Sequence, residues 1–368
     1  MENTIRRFAG LFICVALLFT TTSFATSDEE LTISDNMNAT LNSIKTVIQS
    51  IASEKEYYGF KDVDLTSIWL GKEIPTYSAE NGELVRIQDS SYYPILDADG
   101  NLISIADTTI DDGEIIAGIS AEFVDTIWHY AAGHEVALLY DAVGVSLWDG
   151  NVIRLANAKE MIQDRDLIDD IAAEKFLEIS TSDLSKSFSL NISCTIQPQG
   201  FEDSSIYLSA PVKRQDSDTL WCWAACMASM IQYETGENLT TNYVAGLYTN
   251  SATATAQMSE VKSRFKDFDL YYSSYGDGTN LVNVKIIWDS LYDDHPVWGG
   301  FTGAIGGHAV VIRGLDLSAA TFSVMDPAAS GSNYRAGQMS NVSGNYATLV
   351  LKDFSTNKSY SLVEYLYM

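Results

Sequence analysis

Cys222, His308 and Asp326 are residue types that together can carry out acyl transfer. Cys222 lies in Trp221-Cys222-Trp223-Ala224-Ala225, at the start of an apolar run. His308 follows two glycines in Gly306-Gly307-His308-Ala309-Val310, and Asp326 precedes Pro327. A thiol is a good nucleophile near neutral pH only when its ionised form is favoured. The positive end of a helix and a neighbouring imidazole both favour it. A carboxylate that accepts from one imidazole nitrogen fixes the tautomer and leaves the other nitrogen for the thiol. Taken singly, each residue has a plainer reading: a buried structural cysteine, a satisfied core histidine, an aspartate turn before proline. The set is what carries chemistry.

Each of these residues needs an element to hold it. Residues 223–233 are mostly apolar and lack Gly and Pro, and Gly236 is a stop. This predicts a helix with Cys222 in its first turn, where unpaired amides point outward. Cys226 falls one turn deeper on the same face. A bond between the two cysteines would consume the nucleophile, so none is expected. Residues 308–312 read as a buried strand, after glycines that let another backbone or a substrate approach closely. Residues 322–326 read as the next strand, ended by Pro327. Antiparallel pairing of these strands would bring Asp326 beside His308. His295 is the rival base, expected in the loop before a strand at Val297 and Trp298. His129 and His134 are expected to be structural or exposed.

Residues 1–25 have the layout of a secretory signal peptide. Arg6 and Arg7 precede an apolar stretch over 11–19, too short to span a bilayer, and Ser23-Phe24-Ala25 offers a cleavage site. Export is expected, with no membrane anchor after the signal is removed. Cys194, Cys222 and Cys226 then remain. An odd number leaves at least one thiol unbridged within the chain, with or without a Cys194–Cys226 bond. The formal net charge is −27, concentrated before residue 200. Such a surface repels nucleic acid and anionic membranes. No CxxC pair points to zinc. The turn at Asp97 places Leu102 and Thr108 where a calcium loop needs Gly and Glu. Neither a metal nor an organic cofactor is expected.

Leu41, Ile44, Val47, Ile48 and Ile51 recur at helical spacing and predict a short amphipathic helix over 41–51. Residues 93–96 with 102–105, and 145–147 with 152–155, read as hairpins. Residues 121–140 fit a helix or a strand, and 164–178 are acidic and helical in pattern. The fold class is α+β. Its expected parts are a signal peptide (1–25), a small α+β N-terminal domain (26–185), a linker (186–205) and a catalytic domain (206–368).

Pro211-Val212-Lys213-Arg214-Gln215, followed by Trp221-Cys222-Trp223-Ala224, resembles the segment around the nucleophile of papain-like cysteine peptidases. Gly307-His308-Ala309-Val310 resembles their histidine strand. The resemblance covers only the C-terminal half. It implies a helical subdomain packed on a β-rich one, with the site in the cleft between them. It also implies an endopeptidase acting on protein or peptide substrates. Cys222 would be the nucleophile, His308 the general base and acid, and Asp326 the residue that orients His308. Gln215 would join the Cys222 backbone N–H in stabilising the oxyanion.

The pattern departs from the plant and lysosomal branch. His308 lies 86 residues after Cys222, against about 130 or more in that branch. The Cys-Gly-Ser-Cys pattern is absent, Asp326 replaces the usual asparagine, and one extra residue separates Gln215 from Cys222. In these respects the chain is similar to short bacterial papain-fold peptidases: staphopain-like enzymes, secreted effector peptidases and bacteriocin-leader peptidases. That likeness implies a secreted bacterial precursor. Its N-terminal domain would be an inhibitory propeptide over the cleft, cut between residues 180 and 205, or else a target-binding domain. Two other functions share the side-chain order. One is a Cys-His-Asp amidase or transglutaminase acting on cell-wall peptide or glutamine side chains. The other is a non-catalytic binding or inhibitor protein on a peptidase-like scaffold, with an unreactive Cys222.

Overall fold

The computed structural model describes residues 37–80, 83–131, 133–141, 144–157, 179–192, 205–216, 219–304, 306–328 and 334–368. The C-terminal half is built on a ring of antiparallel strands. Arg335–Ser343 pairs with Thr321–Met325, which pairs with Gly306–Asp316, then Val297–Gly303, Lys358–Tyr367 and Tyr346–Asp353. Tyr346–Asp353 pairs back to Arg335–Ser343 and closes a six-stranded barrel. The sequence favours this because its strands are rich in β-branched and aromatic residues. Phe301, Val310, Ile312, Phe322, Val324 and Leu349 belong to one buried cluster. Closure covers most of the ring's strand edges, and shorter strands pair with what remains.

The helix Cys222–Thr235 packs against the strand Gly306–Asp316. Trp223 to Ile231 are all buried, so this helix is apolar on every side and belongs inside the molecule. Gly236 ends it in a left-handed conformation (φ 76°) and donates its N–H to Gln232 O at 2.9 Å. The observed helix extends the expected 223–233 span by a residue or two at each end. The helices Thr241–Gly246 and Met258–Phe265 flank it.

Before residue 190 the hairpins fall where the sequence places them. Ser90–Leu96 pairs with Leu102–Asp111, and Gly144–Trp148 with Val152–Asn157. The helix Met37–Ser50 begins a turn earlier than its apolar residues indicate. Residues 121–140 divide into a helix, Val124–Ala131, and a strand, Ala137–Tyr140. The signal peptide, the acidic segment 164–178 and residues 193–204 of the expected linker lie outside the described residues. The linker's first residues form the strand Lys186–Ser189, paired with Trp69–Gly71.

The sheet runs across the expected boundary. Glu114–Ser120 pairs with the barrel strand Arg335–Ser343 through Ile119–Ala336 and Gly118–Gly337. Ile44, Val47 and Ile48 share one buried cluster with Trp223, Met227 and Val311. Polar groups join the halves as well. Arg313, fully buried on the His308 strand, donates to Glu54 Oε2 (2.6 Å), Tyr58 Oη (3.2 Å) and Ser323 Oγ (3.0 Å). The described residues make one compact body, with helices, a large antiparallel sheet and a smaller mixed sheet in an α+β arrangement.

Candidate active site

Cys222 is the first residue of its helix, with Trp221 at the N-cap. Trp221 makes no side-chain cap, so the first-turn amides keep their outward direction. The approach to the helix is pinned from one side. Leu220 N–H donates to Ala252 O (2.7 Å) and the Trp221 indole N–H to Ser251 O (3.0 Å). Cys222 is half-buried, whereas Cys226 is fully buried and its thiol pKa is pushed up by that burial and by Cys222 and Asp326. A thiol kept protonated in this way is inert, which leaves the chemistry to Cys222. Neither cysteine is in a disulfide, and Cys194 lies outside the described residues.

His308 is the third residue of the strand Gly306–Asp316. Its Nε2 lies 2.8 Å from Asp326 Oδ1. Asp326 follows the next strand, as the hairpin reading required. With Nε2 on the carboxylate, Nδ1 is the ring nitrogen that can serve a thiol. Asp326 is 2% exposed and its oxygens are well used. Oδ1 also accepts from Ala328 N–H at 2.8 Å, and Oδ2 accepts from Arg335 Nη1 at 2.8 Å.

Gln215 sits beside this turn. Its backbone N–H donates to Pro327 O (3.0 Å), and Arg214 Nη1 donates to Asp326 O (2.9 Å). Gln215 Nε2 donates to Thr219 O at 3.1 Å, while its Oε1 is buried with no partner among the described residues. One amide hydrogen thus fixes the side chain and a second remains.

Three cavities meet at His308. The one of about 170 Å³ is lined by Gln215, Cys222, Gly307, His308 and Tyr360. A second, of about 290 Å³, also holds Cys222 and His308. The third, of about 520 Å³, lies against His308, Asp326 and Arg335 and is walled by Glu122 and Phe123 of the N-terminal half. Among the described residues, none before 206 lines either cavity that contains Cys222.

The other histidines stand elsewhere. His295 Nδ1 lies 3.1 Å from Glu234 Oε2, near the far end of the Cys222 helix. Twelve residues of helix put that pair roughly 18 Å from Cys222 along the axis, so it does not serve the thiol. His129 and His134 are both exposed in the N-terminal half.

Arg335, Arg214 and Glu122 were not legible as site residues. Burial opposes the Arg335 charge, but Asp326, Glu122 and Asp107 outweigh it and raise its pKa. One signal could have found it. An aspartate in place of asparagine brings a charge into a buried site, and a buried charge calls for an opposite one. Arg335 lies across the hairpin from Val324, nine residues after Asp326.

A thiol at a helix start, lining a cavity shared with an imidazole paired to a carboxylate, is an arrangement suited to thiol peptidase chemistry. Residues 207–351 match the Peptidase_C39 like family, a papain-like cysteine peptidase family. The match falls in the C-terminal half, spans Gln215, Cys222, His308 and Asp326, and supports a cysteine peptidase. No curated protein matches the chain.

Proposed function

We propose that this protein is a secreted cysteine endopeptidase, made as a precursor, that hydrolyses peptide bonds through Cys222, His308 and Asp326. The observation that carries the reading is the shared cavity of Cys222 and His308, with the imidazole tied to Asp326 on its other nitrogen. In this mechanism the Cys222 thiolate attacks the peptide carbonyl. Charge gathers on the carbonyl oxygen, where the Cys222 N–H and the second Gln215 amide hydrogen can meet it. His308 gives its proton to the leaving amine. It then takes a proton from water as that water attacks the thioester, which releases the acid and restores the thiol. Asp326 keeps the ring oriented and offsets the imidazolium charge, while Arg335 holds Asp326 in turn. No step requires a metal or an organic cofactor.

In the same reading residues 1–25 direct export and the chain is cut between residues 180 and 205. The test is chemical and genetic together. Under reducing conditions a peptidyl epoxide is expected to label Cys222 alone, as mapped by mass spectrometry, and the parent protein to shorten on standing. Cys222→Ala should remain full length. An unlabelled Cys222 would refute the peptidase reading and favour a non-catalytic scaffold. Labelling without shortening would remove self-processing only. Turnover of glutamine side chains, with no peptide cleavage, would move the chain to the transglutaminase class.

A further inference from the structure

The cavity of about 290 Å³ beside Cys222 contains a carboxylate that the mechanism leaves unused. Its walls include Trp223, Trp298 and Phe301, and Glu364 is the sole carboxylate among its described lining residues. Glu364 lies on the strand Lys358–Tyr367, opposite Gly300 and Gly276 of the flanking strands. Glycine at 300 gives the carboxylate its room. A Cβ added there would lie 2.8 Å from Glu364 Cγ and 3.0 Å from Oε1. Among the described residues, the Glu364 carboxylate has no hydrogen-bond or ion-pair partner. Lys262, on a nearby helix, donates to Ser274 Oγ (3.0 Å), and Arg264 lies over the rings of Trp223 and Tyr248.

We propose that Glu364 makes this cavity a subsite for a cationic side chain, lysine or arginine, carried by the peptide substrate close to the bond that is cut. The inference rests on the cysteine peptidase reading and names its substrate class. The chemistry fits at both ends of such a side chain. Its methylene stem covers the apolar walls while its head reaches the carboxylate. Burial raises the Glu364 carboxyl pKa, and no neighbouring cation opposes the shift. A bound cation would supply that missing partner.

The experiment compares peptidyl epoxides that differ by a single lysine-for-leucine exchange, scanned over the positions next to the reactive group. The readout is the ratio of second-order rates for Cys222 alkylation. At one position lysine should exceed leucine by about tenfold, the size of a pocket discrimination. Glu364→Gln should bring that ratio to about one. Glu364→Asp, which keeps the charge, should retain a lysine preference. Gly300→Ala should lower it by crowding the carboxylate. No lysine advantage at any position, or an advantage that survives Glu364→Gln, overturns the subsite. Iodoacetamide separates the two failures. If it labels Cys222 while lysine gains nothing, only the subsite falls. If neither it nor any epoxide labels Cys222, the peptidase reading falls and the subsite with it.

Discussion

A carboxylate in the third position of the proposed triad changes what must surround it. An amide would accept from His308 without a charge, whereas Asp326 brings one into a site that is 2% exposed. Arg335, itself 6% exposed, answers it. Removing either partner strands the other, which typically costs about 3–5 kcal/mol. Asp326→Asn and Arg335→Met should therefore each be strongly destabilised, and the double variant should recover much of the loss. Urea midpoints of the four proteins give the coupling directly. If the single losses simply add, the pair is not a unit. Lys352 poses a related problem. It is 3% exposed, lies 4.6 Å over the Tyr92 ring and donates to Ser90 Oγ and Thr108 O. Burial depresses its pKa to about 8, against the pull of Asp107 and Asp89. Below that pH both folded and unfolded states carry the charge, and the folded state bears the full desolvation penalty. Above it the unfolded chain, titrating near ~10.4, binds the extra proton, so this group makes stability rise with pH. Between pH 7 and 9 the parent should gain stability relative to Lys352→Met. A parallel pH dependence in the two proteins would contradict this.

At the scale of elements, the helix that begins at Cys222 is the piece whose placement matters most. Its start aims amides and a thiol at the cavity, and its end is set by Gly236 at φ 76°. Alanine there adopts a positive φ with strain, so Gly236→Ala should lower stability by about 1 kcal/mol, read as a small drop in melting temperature. The helix and the hairpins were legible because their signals are local. An apolar run without Gly or Pro, a stop glycine and a turn between alternating strands each act within a dozen residues. Segment 121–140 was ambiguous because its apolar residues satisfy both periods. Only packing divided it, with Val124 and Ile127 buried from a helix and Ala137 to Tyr140 buried from a strand.

For the whole molecule, the N-terminal half is joined to the C-terminal half by a sheet pairing, a common core and a buried arginine. Glu54 reaches across to Arg313, which is 0% exposed. Glu54→Ala should leave that guanidinium short of its counter-charge and cost about 3 kcal/mol, although it lies in a segment read as a propeptide. The same contacts bear on processing. A cut between residues 180 and 205 should yield two chains that co-elute under native conditions and separate only in denaturant. Dissociation of the fragments in native buffer would show that the shared core is too weak to hold them.

The sequence by itself determined the proposed reactive set. Cys222, His308 and Asp326 could be named because each stands at the end of an element whose limits are written locally, and one hairpin brings two of them together. The tertiary structure decided what lies around that set. The barrel closes through Tyr346–Asp353 returning to Arg335–Ser343, and the pairing of Lys358–Tyr367 with Val297–Gly303 sets Glu364 on a wall of the Cys222 cavity. It also joins Glu114–Ser120 to that barrel across more than two hundred residues of chain. Pairings at such separation depend on which edges and faces are left to bury once local elements have formed, and no short-range pattern records that.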